Sequence, residues 1–306
     1  MQFQHQVIRD LAWCCSSAPL LADLPDPHIA IWPTDAMLDM AWLVDLDQNP
    51  QALLTELAQL KSTRLGIYYE TLWRFYWQQH PHYHLLAHNL QITDQGQTLG
   101  AFDFIVQADD AVWHIETAVK FYLGVPTNVH STSEWAQWIG PNCNDRLDIK
   151  LARLLNHQLP LRFNTASQNT LTTLAPPGSN WRSALCLQGY LFYPAHEAMP
   201  KPHNAHMHHQ RGLWWYLRYF LDEVKALDYW MVLPRHQWLS AAQTDDIHAL
   251  LSRDNLRDYL RHWVGDLHRP QLIAAMEKND GIWQEKSRGF VVPDHWPWTE
   301  TPSRNT

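Results

Sequence analysis

The run Trp113-His114-Ile115-Glu116-Thr117-Ala118-Val119-Lys120-Phe121-Tyr122-Leu123 decides how this chain is read. Successive side chains of an extended strand alternate, so His114, Glu116, Ala118, Lys120 and Tyr122 share one face. Trp113, Ile115, Thr117, Val119 and Phe121 occupy the other, which is apolar apart from one threonine and is expected to meet a core. The first face sets a carboxylate beside an ammonium with little burial to justify them. Glu and Lys four residues apart on a strand ordinarily mark a solvated face. Just upstream, the run 98–107 carries an acid, Asp103, between Phe102 and Phe104. Two adjacent strands that each offer one acid, with a lysine nearby, suit a divalent metal and phosphodiester hydrolysis.

Working outward, residues 83–93, 98–107 and 111–123 read as three strands joined by Asp94-Gln95-Gly96-Gln97 and Ala108-Asp109-Asp110, connections of hairpin length. They are expected to form an antiparallel meander. Before it, residues 62–80 read as a helix with Leu65, Tyr69, Leu72 and Tyr76 at helical spacing, capped by Ser62 or Thr63 and stopped by Pro81. After it, 124–144 reads as a loop. The stretch 145–159 reads as a helix whose Leu147, Leu151, Leu154 and Leu155 form the buried stripe. Residues 162–180 are rich in Thr, Ser and Pro and are expected to form a loose loop. The nearly continuous apolar run 184–192 fits an interior strand, which a crossover helix would carry into the same sheet, parallel to the third.

Residues 1–61 read as a helical cap with Pro-rich turns, including an amphipathic helix over 51–60. The remainder, 195–306, reads as an α+β extension: a helix over 211–225, a strand over 229–233, a helix over 244–252 and a final hairpin of 271–276 with 282–292. The expectation is one α/β chain of 306 residues in which 62–194 is the core.

A net charge of −8 argues against a generally basic nucleic-acid coat, though not against a local basic groove. The four cysteines have no spacing suited to a zinc knuckle or a disulfide framework, which points to a reducing compartment. The first residues, MQFQHQVIRDLAW, lack the apolar run of a signal peptide, and no stretch of about 18 apolar residues occurs. A cytoplasmic protein without a membrane anchor is expected. Most of the seventeen tryptophans are expected to pack rather than stack on bases.

The order helix, three strands, helix, strand, with acids on the second and third strands, resembles the core of the PD-(D/E)XK, or restriction-endonuclease-like, nuclease superfamily. That resemblance covers under half of the chain. Leu65-Gly66-Ile67-Tyr68-Tyr69-Glu70, Gly100-Ala101-Phe102-Asp103-Phe104-Ile105, the strand from Glu116 to Leu123, Asp145-Arg146-Leu147-Asp148-Ile149-Lys150-Leu151 and Arg288-Gly289-Phe290-Val291-Val292-Pro293 also resemble a bacterial family known as a domain of unknown function. This second resemblance spans nearly the whole chain and supplies no activity. The nuclease resemblance implies that Asp103 and Glu116 hold Mg²⁺ or Mn²⁺, that Glu70 on the preceding helix is an accessory acid, and that a lysine orients the attacking water. It also implies a nucleic-acid substrate, DNA or RNA, and a homodimer where both strands are cut.

The lysine departs from the pattern. Ala118 stands two residues after Glu116, where the lysine is expected, and Lys120 follows on the same face. At roughly 3.3 Å per residue its Cα is about 13 Å from that of Glu116, not about 7 Å. A long side chain or a bulge can recover part of that distance, and Lys150 on the following helix is the other candidate. Arg146, Lys150, Arg153 and His157 cluster on one helix face, read either as a solvated surface or as phosphate contacts made by Arg146, Lys150 and Arg153. His203, His206, His208 and His209 read as an exposed loop, with Zn²⁺ binding as the alternative. His114-Ile115-Glu116 lacks the paired cysteines of a zinc deaminase. No G-x-S-x-G elbow, Walker A or dinucleotide fingerprint occurs. Three functions remain: a Mg²⁺-dependent nuclease; its rival, a non-catalytic protein of the same fold that binds nucleic acid or protein; and a metal-binding protein centred on the four histidines of 203–209.

Overall fold

The computed structural model of the chain describes residues 3–126, 132–176, 178–223 and 228–298. They group into two compact units, one drawn from residues 1–120, 150–189 and 204–209, the other from 121–149, 190–203 and 210–306. The fold is mixed α/β. No helix among the described residues is long and apolar enough to cross a membrane.

In chain order the elements begin with α1 (Gln6–Ser16), β1 (Ile29–Ile31), α2 (Met40–Gln48), α3 (Gln51–Ala58) and α4 (Leu65–Gln79). The meander follows as β2 (Tyr83–Asp94), β3 (Gln97–Ala108) and β4 (Ala111–Gly124), then β5 (Trp138–Ile139), α5 (Leu147–Arg153), α6 (Thr165–Leu171) and β6 (Asn180–Pro194). The chain continues through β7 (Gln210–Tyr216), α7 (Leu217–Glu223), β8 (Tyr229–Val232), β9 (Gln243–Thr244), β10 (Leu251–Ser252), α8 (Arg253–Leu260), β11 (Gln271–Asn279) and β12 (Ile282–Val292).

In the first unit the strands lie in the order β6-β4-β3-β2, and β1 pairs parallel to β6 from Ile29↔Ser183 to Ile31↔Leu185. The N-terminal region therefore adds a strand as well as helices. The β2–β3 turn places Gln95 at φ 47° and Gly96 at φ 80°, the left-handed pair that a two-residue hairpin matching the sheet twist requires. Helix α4 presents Tyr69, Leu72, Trp73, Tyr76 and Trp77 as its buried face. Trp77 meets Phe104 of β3 edge-on at 4.5 Å and stacks on Trp73 at 4.9 Å. The expected cap is displaced: α4 starts one residue after Arg64, with no side-chain cap, and the Ser62 hydroxyl accepts from the Arg64 amide instead.

The helix expected over 145–159 is regular only over α5. It passes through a π-helical segment, Leu154–Gln158, and a 3₁₀ segment, Leu159–Phe163. Pro160, which has no N–H to give an α-helical ladder, sits at this change. The region 162–180 is not a loose loop throughout. It contains α6, whose Asn164 cap accepts from the Ala166 amide, and Leu161 and Leu171 pack onto Ile92, Phe102 and Ile105.

In the second unit the order is β10-β8-β11-β12-β7, with β7 parallel both to β12 and to the end of β6. The expected helix over 211–225 is corrected here: its first half is β7, and only Leu217–Glu223 is helical. Residues 224 and 225 lie outside the described residues. Pairing on both sides overrides the local helical pattern, and Gly212 lets β7 lie against the Phe192 ring, 2.4 Å from where a Cβ would sit. The helix expected over 244–252 is also corrected, because those residues form β9, a single 3₁₀ turn and β10, and the helix is α8 immediately after. The β11–β12 hairpin lies where the sequence places it, with β11 running on to Asn279. The loop read over 124–144 holds a 3₁₀ turn and β5, while 127–131 lie outside the described residues.

Candidate functional site

Asp103 on β3 and Glu116 on β4 lie where the ladder between these strands changes character. Regular pairs run from Ala108↔Ala111 to Phe104↔Ile115. One residue further, the Asp103 amide donates to Glu116 Oε1 at 3.4 Å, and Asp103 Oδ2 accepts from the Thr117 amide at 2.9 Å and its hydroxyl at 3.3 Å. Side chains have taken over hydrogen bonds that backbone would otherwise make. On the other flank, Asn89 falls between the pairs His88↔Phe104 and Leu90↔Phe102 and has φ 47°, a left-handed geometry that asparagine tolerates. Irregular pairing of this kind re-aims side chains beside functional sites.

The expected solvated face of β4 is corrected: His114 and Glu116 are both 0% exposed, and Ala118 and Tyr122 are buried with them. His114 and Glu116 sit two residues apart on one face, and His114 Nε2 meets Glu116 Oε1 at 2.8 Å. Burial pulls the imidazole down to about 3, so it is neutral at ordinary pH. Against an ionised Glu116, Nε2 is then the donor, and Nδ1 remains as a buried acceptor without a partner. Gln158 Nε2 donates to the other oxygen, Glu116 Oε2, at 2.8 Å. Gln158 Oε1 is likewise buried and unpartnered.

The Glu116 charge raises the cost of ionising Asp103, whereas hydrogen bonding with Asp103 favours the charge on Glu116. Burial pushes Asp103 well above the usual carboxylate range and the Glu116 charge adds to this, while the Thr117 amide and Lys150 pull the other way. Glu116 is pushed up chiefly by burial, offset by the Asp103 amide and Lys150. Glu70 raises both. On α4 it accepts from His88 Nε2 at 2.8 Å, both side chains being half-buried.

Lys150 is drawn below the usual lysine range by burial, then by the charge of Lys120, while Asp103 and Glu116 restore part of it. The charge of Lys120 thus bears on Lys150, the other lysine named from the sequence. Beside Lys120, Gly189 of β6, at φ 138°, lies so close to the Lys120 carbonyl that a Cβ would sit 1.7 Å from it. Arg153 is exposed, and its charge also reaches Lys150. Arg146 belongs to the second unit, where it makes a bidentate pair with Asp148 at 2.6 and 3.0 Å.

The sequence reading missed three residues: Gln158, His114 and His88. Gln158 continues the 147, 151, 154 spacing of the buried leucine stripe, so a polar side chain at that position was its signal. His114 stood on the right face without a role. Nothing local marks His88, which becomes relevant only through the β2–β3 register and α4. The His206 and His208 rings lie 5.8 Å apart, and His209, expected in an exposed loop, is buried against the His206 carbonyl.

Among the described residues no three of His, Cys, Asp and Glu are placed to hold a metal ion. The chemistry of the donor set nevertheless suits one class of ion. Mg²⁺ is commonly bound by one or two carboxylates, its remaining positions taken by water and substrate phosphate. A buried Glu116 and a half-buried Asp103, both with raised pKa values, and an unpartnered Gln158 acceptor beside them match that demand.

No curated protein and no solved structure matches the chain. One family does, over residues 9–292, which is nearly the whole length. The chain belongs to the family described as Domain of unknown function (DUF1853).

Proposed function

We propose that the chain hydrolyses phosphodiester bonds in DNA or RNA with Mg²⁺ or Mn²⁺ held by Asp103 and Glu116, on a restriction-endonuclease-like core within residues 62–194. The observation that carries this reading is the pairing of the buried Glu116 and the half-buried Asp103 across β3 and β4 with Lys150 as their cationic neighbour. A bound metal would polarise the phosphoryl oxygen and acidify a water. His114 and Gln158 fix Glu116 from its two oxygens, and Thr117 fixes Asp103, so the two acids are held in place before substrate arrives. Lys150, its proton loosened by burial, orients the attacking water and stabilises negative charge on the phosphate. Lys120 supports it, and Glu70, held by His88, adds acidity to the outer side of the site. Arg153 and Lys150 are assigned to phosphate contact.

The second reading, a non-catalytic protein of this fold that binds nucleic acid or protein, draws on Ala118 at the usual lysine position and on Glu116 oxygens that already accept hydrogen bonds. Cleavage of labelled DNA and RNA with Mg²⁺, with EDTA and in Asp103→Asn separates the two. Metal-dependent cutting that the substitution abolishes supports the nuclease; no cutting under any condition supports the binding protein.

A further inference from the structure

The 3₁₀ segment Leu159–Phe163 follows directly on Gln158 and ends in two residues that the site above does not use. Phe163 is 60% exposed, more than any other large aromatic side chain among the described residues. The Arg162 guanidinium lies over its ring, 4.4 Å from the centroid, and donates through Nε to the Ser183 hydroxyl at 2.8 Å. Arg162 is half-buried, and among the described residues it makes no ion pair with a carboxylate; burial lowers its pKa. An arginine set into the surface of an acidic protein without a counter-charge is an anion site in waiting. Its charge also reaches His114, which holds Glu116.

We propose that Arg162 and Phe163 form a subsite for an unpaired nucleotide, the guanidinium taking a phosphate oxygen and the ring stacking on the adjacent base. Single-stranded nucleic acid is the occupant because it presents both groups at once, whereas a duplex hides its base faces and offers only phosphates. The segment sets the reach: at roughly 2 Å per residue Phe163 is about 10 Å along it from Gln158, about three nucleotides of stacked strand from the residue that fixes Glu116. The subsite thus deepens the nuclease reading by naming a single-stranded substrate. It rests on that reading for its place relative to the cut, but not for its binding.

Binding is therefore measured without metal. Fluorescence anisotropy of a labelled 15-nucleotide single strand, as DNA and as RNA, and of the matching duplex is followed with the full chain in EDTA. The single strand is expected to bind more tightly than the duplex, Phe163→Ala to weaken it about tenfold, and Phe163→Trp to keep it. Arg162→Gln is expected to weaken binding and to reduce the slope of log affinity against log salt by about one. Phe163 is exposed, so its replacement leaves the fold in place. Failure of the wild type to bind either single strand, equal binding by Phe163→Ala, or duplex binding as tight as single-strand binding overturns the subsite. If binding follows the expected pattern and Mg²⁺ produces no cleavage, the subsite stands and the nuclease reading falls; cleavage with Phe163→Ala binding unchanged gives the converse.

Discussion

Asp103 and Glu116 are tied through each other's strands: the Asp103 amide donates to the Glu116 carboxylate at 3.4 Å, and the Asp103 carboxylate accepts from the Thr117 amide at 2.9 Å. A buried and a half-buried acid are thereby held together at the point where β3 and β4 leave regular pairing. Without a cation between them this costs stability, and that cost can be measured.

Asp103→Asn removes one charge and keeps an oxygen that can accept from Thr117. In the absence of metal at pH 8 the variant is expected to be more stable than the wild type, by about 1 kcal/mol or more, since one unit of pKa shift corresponds to about 1.4 kcal/mol. Urea unfolding under these conditions measures it. A variant less stable than the wild type would mean that the acids are retained as structural hydrogen-bond acceptors.

The sign of the pH dependence follows from the same shifts. Both acids have folded-state values above their unfolded ones, so their contribution to stability is fully present below about pH 4 and is lost as pH rises through the raised folded values. His114 works in the other direction. Its folded value is depressed to about 3, so its contribution is present above about pH 6.5 and is lost as pH falls towards the folded value. Metal-free unfolding between about pH 6.5 and 8, above the range in which the His114 contribution changes, should show stability falling as the acid pair ionises, with a shallower fall in Asp103→Asn. Mg²⁺ affinity should rise over the same window, because the metal competes with protons for the pair.

Lys150 is expected to matter more than Lys120. Burial and the charges of Asp103 and Glu116 act on it directly, whereas Lys120 enters through its effect on Lys150. Lys150→Met should lower the cleavage rate about a hundredfold, the scale of losing a positioned proton-handling group, with Lys120→Met losing less than Lys150→Met. Single-turnover cleavage of the two variants tests this. The reverse order would return the lysine role to β4.

Gln158→Leu leaves Glu116 Oε2 without its donor. Removal of a partner from a buried charge should cost about 1–3 kcal/mol, and loss of an outer contact to a ligating carboxylate should weaken metal binding roughly tenfold to a hundredfold. Calorimetric titration with Mn²⁺ and thermal unfolding read the two effects separately.

In the second unit, Arg288 bonds Glu285 through Nε at 2.6 Å and Nη2 at 2.7 Å, the carbonyls of Trp238 and Ser240 take further bonds, and both charged side chains are buried. Arg288→Met leaves the buried Glu285 without its cation, holding only the Ala242 amide at 2.8 Å, and should cost about 3–5 kcal/mol. Chemical unfolding measures it; a loss under 1 kcal/mol would mean that the loop relaxes to let water reach Glu285.

The meander was legible because alternation over β2 to β4 and the Asp94-Gln95-Gly96-Gln97 turn are local signals with one geometric solution. Asp103 and Glu116 were legible as acids on neighbouring strands, and Lys150 as a basic residue on the next helix. The burial of Glu116 was not, because it depends on Gln158, 42 residues away, reaching it from a π-helical segment. The strand β7 was misread for a related reason. Residues 210–216 carry no clean alternation, and only pairing with β6 and β12, partners distant in sequence, holds them extended.

The most direct measurement is titration of Mg²⁺ and Mn²⁺ into the wild type and into Asp103→Ala/Glu116→Ala by calorimetry, with cleavage of mixed DNA and RNA substrates followed on the same samples. The expected result is metal binding and metal-dependent cleavage by the wild type, both abolished in the double variant. A wild type that binds neither ion at millimolar concentration and cuts neither substrate contradicts the account.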